Sequence, residues 1–102
     1  MPQDHNAAVA VRHNAAASRF EADVDGHLCH ADYRLNGDVM AMTHTEVPSA
    51  LAGRGIAAQL VRAAIEHARE GGLKVAPHCS YVRAYGKRHP EVHDVLAAGD
   101  GL

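Results

Sequence analysis

The chain has 102 residues, a formal net charge of -2 with histidine neutral, and 47% apolar residues, with no tryptophan and one phenylalanine. Such a length suits one domain with one core across residues 1–102, without room for a separate substrate domain. The charge gives no reason to expect nucleic acid, no apolar run approaches the roughly 18 residues of a membrane span, and MPQDHNAA lacks the basic and apolar regions of a signal peptide, so a cytoplasmic location is expected.

Taken in chain order, the apolar run from Ala7 to Arg12 suits an edge strand, and Ala15 to Ser18 is a brief connection. Phe20, Ala22 and Val24 alternate with charged neighbours, as in a strand with one buried face. Asp25-Gly26 then reads as a hairpin turn. From His27 to Leu35 a second alternating run puts Cys29, Ala31, Tyr33 and Leu35 on one face, and Asn36-Gly37 reads as the next hairpin turn. The result is an antiparallel meander running into a strand from Val39 to Val47.

The period changes at Val47-Pro48, because proline disfavours a central strand. Ile56, Leu60, Ala64 and Ala68, flanked by Ala57, Val61 and Ile65, recur at helical spacing, and Gly71-Gly72 supplies a left-handed stop. Leu73 to Pro77 reads as a further strand, which makes a β-α-β unit with parallel strands and a right-handed crossover. His78-Cys79-Ser80 opens another helix, and Pro90 starts a short final one through Ala98. The expected class is α+β: an antiparallel meander, a β-α-β unit and C-terminal helices.

Ligands in such a sheet bind beyond the carboxyl ends of the parallel strands. His44, near the end of the first strand, Cys79, just past the end of the second, and the Gly53-Arg54-Gly55 turn between them therefore converge on one edge. Two glycines one residue apart at a helix N-terminus let backbone N–H groups approach a pyrophosphate, although the same pattern also makes a simple strand-to-helix turn. With Ser80 as helix cap, the Cys79 thiol sits at a helix N-terminus that favours thiolate; the alternative is a buried structural cysteine. His44 is a candidate general base for a thiol or an incoming amine, or else a strand histidine bonded to backbone. No metal site is expected: in the His27, Cys29, His30 cluster, strand alternation leaves two ligands on a face where structural zinc needs four.

The run MTHTEVPSALAGRGIAAQLVRAAIEHAREGGLKVAPHCSYVRAY, with RHPE after it, resembles the small stand-alone acetyltransferase-like proteins of the GNAT superfamily, in the subfamily with a cysteine beside the acetyl group. The resemblance covers Met40 to Glu91. It implies acetyl-CoA as donor and CoA as product, with Gly53, Arg54, Gly55, Ile56 and Ala57 in the pyrophosphate loop. The strand ending near Val47 would diverge from the one ending near Cys79, and the pantetheine arm would lie between them. Cys79 matches the cysteine beside the acetyl group and His44 the histidine near it, and an acetyl-cysteine intermediate is implied.

Ala50 stands where the superfamily loop usually has Gln or Arg, and Ala52 where close relatives often have Arg, so weaker CoA affinity is expected. Typical members insert two helices between their first two strands to shape the acceptor pocket, and Asn14 to Arg19 leaves no room for them. An unknown aliphatic amine, such as a lysine on another protein, fits an open site. Tyr81 and Tyr85 lie one helical turn apart, with Lys87 and Arg88 after them; a tyrosine hydroxyl and the Arg88 charge can serve CoA, or the tyrosines can pack and the charges stay solvated. The two functions in view are an acetyltransferase acting through Cys79 and His44, and a CoA-binding interaction module without turnover. Sequence does not set the oligomeric state.

Overall fold

In the computed structural model, residues 8–97 are described. The sheet is built from β1 (Arg12–Asn14), β2 (Arg19–Val24), β3 (His27–Asn36), β4 (Val39–Glu46) and β5 (Lys74–Pro77), in sequence order across its width. The first four strands pair antiparallel and β4 pairs parallel to β5. Between those last two runs α1 (Ile56–Glu70), and α2 (Ser80–Arg88) follows β5. The architecture is the expected α+β meander entering a β-α-β unit.

The first strand starts later than the apolar run suggested. Val9 and Val11 pack against the core from outside the sheet, and the Val9 amide donates to Gln59 Oε1 of α1 at 2.8 Å, so pairing begins only at Arg12. Ala7 lies outside the described residues. Between β1 and β2 the chain makes only a 3-10 turn, Ala15–Ala17, so no helices intervene between these two strands.

Asp25-Gly26 is the expected two-residue turn, with both residues at positive φ (51° and 80°), as a type I′ hairpin needs. The second turn is shifted by one residue: Asn36 still pairs with Val39, and Gly37-Asp38 form the loop. At the other end of α1, Leu73 N–H bonds to the Ala68 carbonyl at 2.8 Å and Gly72 N–H to that of Arg69 at 3.3 Å, the paired bonds of a Schellman stop. In place of the expected final helix, a 3-10 turn (Pro90–Val92) leads to a parallel bridge between Val75 and Leu96. Ala98 lies outside the described residues.

One core lies between the sheet and the two helices. Phe20, Ala22, Cys29, Ala31, Tyr33, Met40 and Met42 enter it from the meander, and Ile56, Leu60, Val61, Ala64, Ile65 and Ala68 from α1. Leu60, Val61 and Ile65 are at most 1% exposed, and each such side chain contributes about 1.5–3 kcal/mol by leaving water. Leu35, on the predicted inner face, is instead 56% exposed, in the exposed last three residues of β3.

The opposite face of the sheet is polar. Glu21 breaks the simple alternation: it is 3% exposed, yet it points away from the core. Arg12, Arg19 and Asn14 all donate to its carboxylate and cover it, which satisfies the charge without burying it in an apolar interior. No helix among the described residues is long and apolar enough to cross a membrane.

Candidate active site

Beyond the Met42–Pro77 pair, β4 and β5 stop pairing. The cause is visible in β4: Tyr33 opposes Met42 while Asp32 opposes His44, so Thr43 is an extra, bulged residue. A bulge bends the strand and exchanges the faces of the residues after it. Met40 and Met42 point to the core, so unbroken alternation would send His44 there; with the bulge, Thr45 takes that side and His44 the polar one.

Thr45 therefore meets Cys79. The Cys79 thiol donates to Thr45 Oγ1 at 3.7 Å, and the Cys79 amide donates to the Met42 carbonyl at 3.0 Å. Cys79 is itself the N-cap of α2, and Ser80, expected as the cap, is the first helical residue. Cys79 is partly buried, whereas Cys29 is fully buried, its thiol pKa pushed up chiefly by desolvation. His44 is not brought to the thiol: its Nε2 lies 2.9 Å from Glu46 Oε1, on a side chain 56% exposed. Of the two neighbours in β4, Thr45 and not the candidate base His44 is the side chain that meets Cys79.

The glycine turn lies beside this divergence. Gly53 and Gly55 have φ of 83° and 72°, and Gly55 is the N-cap of α1 without any side-chain cap bond or acidic residue in the first turn. The first-turn N–H groups of α1 thus lack a side-chain acceptor, and a helix N-terminus in that state attracts an anion. A cleft of about 310 Å³ opens there, lined by Val47, Leu51, Ala52, Gly53, Arg54, Gly55, Ile56, Ala57 and Tyr81. An added Cβ on Gly53 would meet nothing within 4 Å, so the cradle has free space in front of its backbone. Arg54 is tethered across the chain, its Nη1 2.8 Å from Asp25 Oδ2 of the β2–β3 turn.

Of the tyrosines, only Tyr81 lines this cleft; burial raises its hydroxyl pKa and the charge of Arg88 partly offsets that. Tyr85 is 7% exposed and stacks on His89 with ring centroids 4.1 Å apart, lining a separate cavity of about 150 Å³ with Arg62, Ile65, Glu66, Glu91 and Val92. The bland reading, a packing tyrosine, describes Tyr85. No group of three or more His, Cys, Asp or Glu side chains among the described residues is arranged to hold a metal ion. Thr45 and Asp25 were not anticipated as site residues, because a bulge and an ion pair between distant residues leave no mark in a local pattern.

The sequence model of a family described as GCN5-related N-acetyl-transferase matches residues 19–95. The chain belongs to this N-acetyltransferase family. Among similar proteins, Protein NATD1 of Xenopus tropicalis is 34% identical over 92 residues, covering 85% of this chain and 83% of that protein. The Homo sapiens protein of the same name is 34% identical over 87 residues, covering 80% of this chain and 75% of its own length. A solution NMR structure of a GCN5-like protein from Staphylococcus aureus matches with a TM-score of 0.71 at 26% identity, over 87% of this chain and 88% of that one. The GCN5-related fold is thus the one that the meander, the bulge and the splayed β4–β5 pair build in this N-acetyltransferase-family chain.

Proposed function

We propose that this chain is an acetyl-CoA-dependent N-acetyltransferase that passes an acetyl group to an aliphatic amine through Cys79. The observation that carries the reading is the cleft at the N-terminus of α1, with two left-handed glycines, uncapped N–H groups and open space, whose lining residues Val47 and Tyr81 follow closely in the chain on Thr45 and Cys79, the pair in contact where β4 leaves β5. Acetyl-CoA supplies the acetyl group as a thioester. The amides of Gly53 to Ala57 hold its pyrophosphate, Arg54 adds charge, and Val47 and Tyr81 flank the arm leading to Cys79.

Cys79 gives up its proton to solvent as its sulfur forms the new S–C bond, the S–C bond to CoA breaks, and the departing sulfur leaves as a thiol. Tyr81, whose hydroxyl pKa is raised by burial, supplies the proton of that leaving thiol and regains one from solvent. Thr45 holds the thiol by accepting its hydrogen bond. The amine next attacks the acetyl carbon and frees Cys79.

Intact mass after incubation with acetyl-CoA tests this. A single acetyl adduct is expected, absent from Cys79→Ala and discharged by an added lysine peptide. Acetylated peptide formed without any adduct would sink the covalent step in favour of direct transfer. Acetyl-CoA binding with neither adduct nor product would make the chain a binding module and overturn the enzymatic reading.

A further inference from the structure

The polar face of the sheet carries a constellation that donor binding does not use. His30 Nδ1 lies 2.8 Å from Asp32 Oδ1 along β3, and His44 Nε2 lies 2.9 Å from Glu46 Oε1 along β4. Across the strands the pairing is reversed, with His30 opposite Glu46 and Asp32 opposite His44. Each imidazole thus neighbours two carboxylates and each carboxylate two imidazoles, in a square whose ring centroids are 6.1 Å apart. Among the described residues, the ion-pair partners of Asp32 and Glu46 are these histidines alone, whereas Glu21 and Asp23 on the same face are paired with arginine.

The place of the square matters as much as its charge. His44 and Thr45 are consecutive residues that the bulge turns to opposite sides of β4, and Thr45 touches Cys79. No ladder joins β4 to β5 beyond Met42 and Pro77, so the stretch of β4 that carries both His44 and Thr45 is left unpaired on its β5 side. The donor cleft lies beside the helices, so the side left for an acceptor is the polar one.

Resting on the reading above, we infer that the square of His30, Asp32, His44 and Glu46 is the acceptor-docking site, and that its occupant is a lysine side chain presented by a polypeptide. The carboxylates receive the ammonium group by charge-assisted hydrogen bonds, and a ring nitrogen not engaged by a carboxylate takes one proton from it. The neutral amine attacks the acetyl carbon, its N–C bond forms as the S–C bond breaks, and its second proton passes to the departing sulfur. The imidazolium returns its proton to water, so one proton is released per amide formed. A polypeptide is favoured over a free polyamine because Glu46 and His44 are 60% and 56% exposed, and a macromolecule brings the enclosing contacts that such an open face lacks.

The test is an imidazole NMR titration of the full chain, saturated with CoA so that no turnover occurs, using a short peptide with one lysine, its norleucine counterpart, and spermidine. The lysine peptide is expected to shift the His30 and His44 ring resonances. Its affinity should fall about tenfold in Asp32→Asn/Glu46→Gln, the loss of one charge-assisted contact, while acetyl-CoA affinity stays unchanged. Glu46→Gln alone gives the same readout should the double variant lose its fold. Equal shifts from the norleucine peptide, shifts insensitive to the substitutions, or tighter binding of spermidine would overturn the proposal. Loss of the donor reading shows separately, as absence of acetyl-CoA binding in the unaltered chain.

Discussion

Gly53→Ala separates the cost of the loop's backbone from its role in holding a ligand. At φ of 83° an alanine is strained by about 1–2 kcal/mol, of which roughly 0.4–1 kcal/mol is offset by the stiffer unfolded chain. The new methyl group meets nothing within 4 Å, so no clash adds to this. The free variant should therefore fold and melt lower by a few degrees, since about 1 kcal/mol corresponds to roughly 4–8 °C for a domain of this size. The same methyl group occupies the space in which the pyrophosphate would sit. With acetyl-CoA at a hundred times its wild-type Kd, ligand stabilisation is about 2.7 kcal/mol, and a tenfold weaker variant keeps about 1.4 kcal/mol. Thermal melts with and without acetyl-CoA read both effects, and Gly72→Ala is the control, because its φ of 71° and open surroundings reproduce the strain at the far end of α1. An acetyl-CoA shift preserved in Gly53→Ala, or lost equally in Gly72→Ala, would refute the assignment of the loop.

Leu60→Ala removes a side chain with no exposure between α1 and the sheet, and should cost about 2–5 kcal/mol, read as a lower urea midpoint at unchanged slope. Glu21 has its carboxyl held below the ordinary 4.5, first by the hydrogen bond from Arg19. Its folded value lies below its unfolded one, so its contribution is complete above about pH 4.5 and lost as pH falls through the lower folded value. Glu21→Gln should abolish that part of the acid limb, and acid melts of equal steepness in both proteins would contradict it. The Arg54–Asp25 pair joins side chains 26% and 61% exposed and is worth about 0–1 kcal/mol. Asp25→Asn should leave the melting temperature nearly unchanged and tighten acetyl-CoA binding by calorimetry, because the carboxylate competes with phosphate for the guanidinium; weaker binding would show that Asp25 positions Arg54 instead.

The β-α-β unit was legible because its signals are local. The switch from a two-residue to a 3.6-residue period at Pro48, the glycine turn and the Gly71-Gly72 stop all lie within one stretch, and β4, α1 and β5 formed within a residue or two of the expected bounds. What escaped depends on partners distant in the chain. β1 was misplaced because Gln59 intercepts the amide of Val9, and the final helix because Val75 offers a free edge to Leu96. Thr43 looks like any strand threonine, yet its bulge decides which face His44 takes. The acceptor square was hidden for the same reason: Asp32 and Glu46 are ordinary surface carboxylates until the register sets each beside a histidine of the neighbouring strand.

The most direct test of donor binding is an amide NMR titration of the full chain with acetyl-CoA. The largest shifts are expected at the amides of Gly53 to Ala57, with smaller ones at Val47, Cys79 and Tyr81, the residues that line the cleft or border the strand gap. No saturable shift, or shifts centred on the separate cavity beside Tyr85 and His89, would contradict the account.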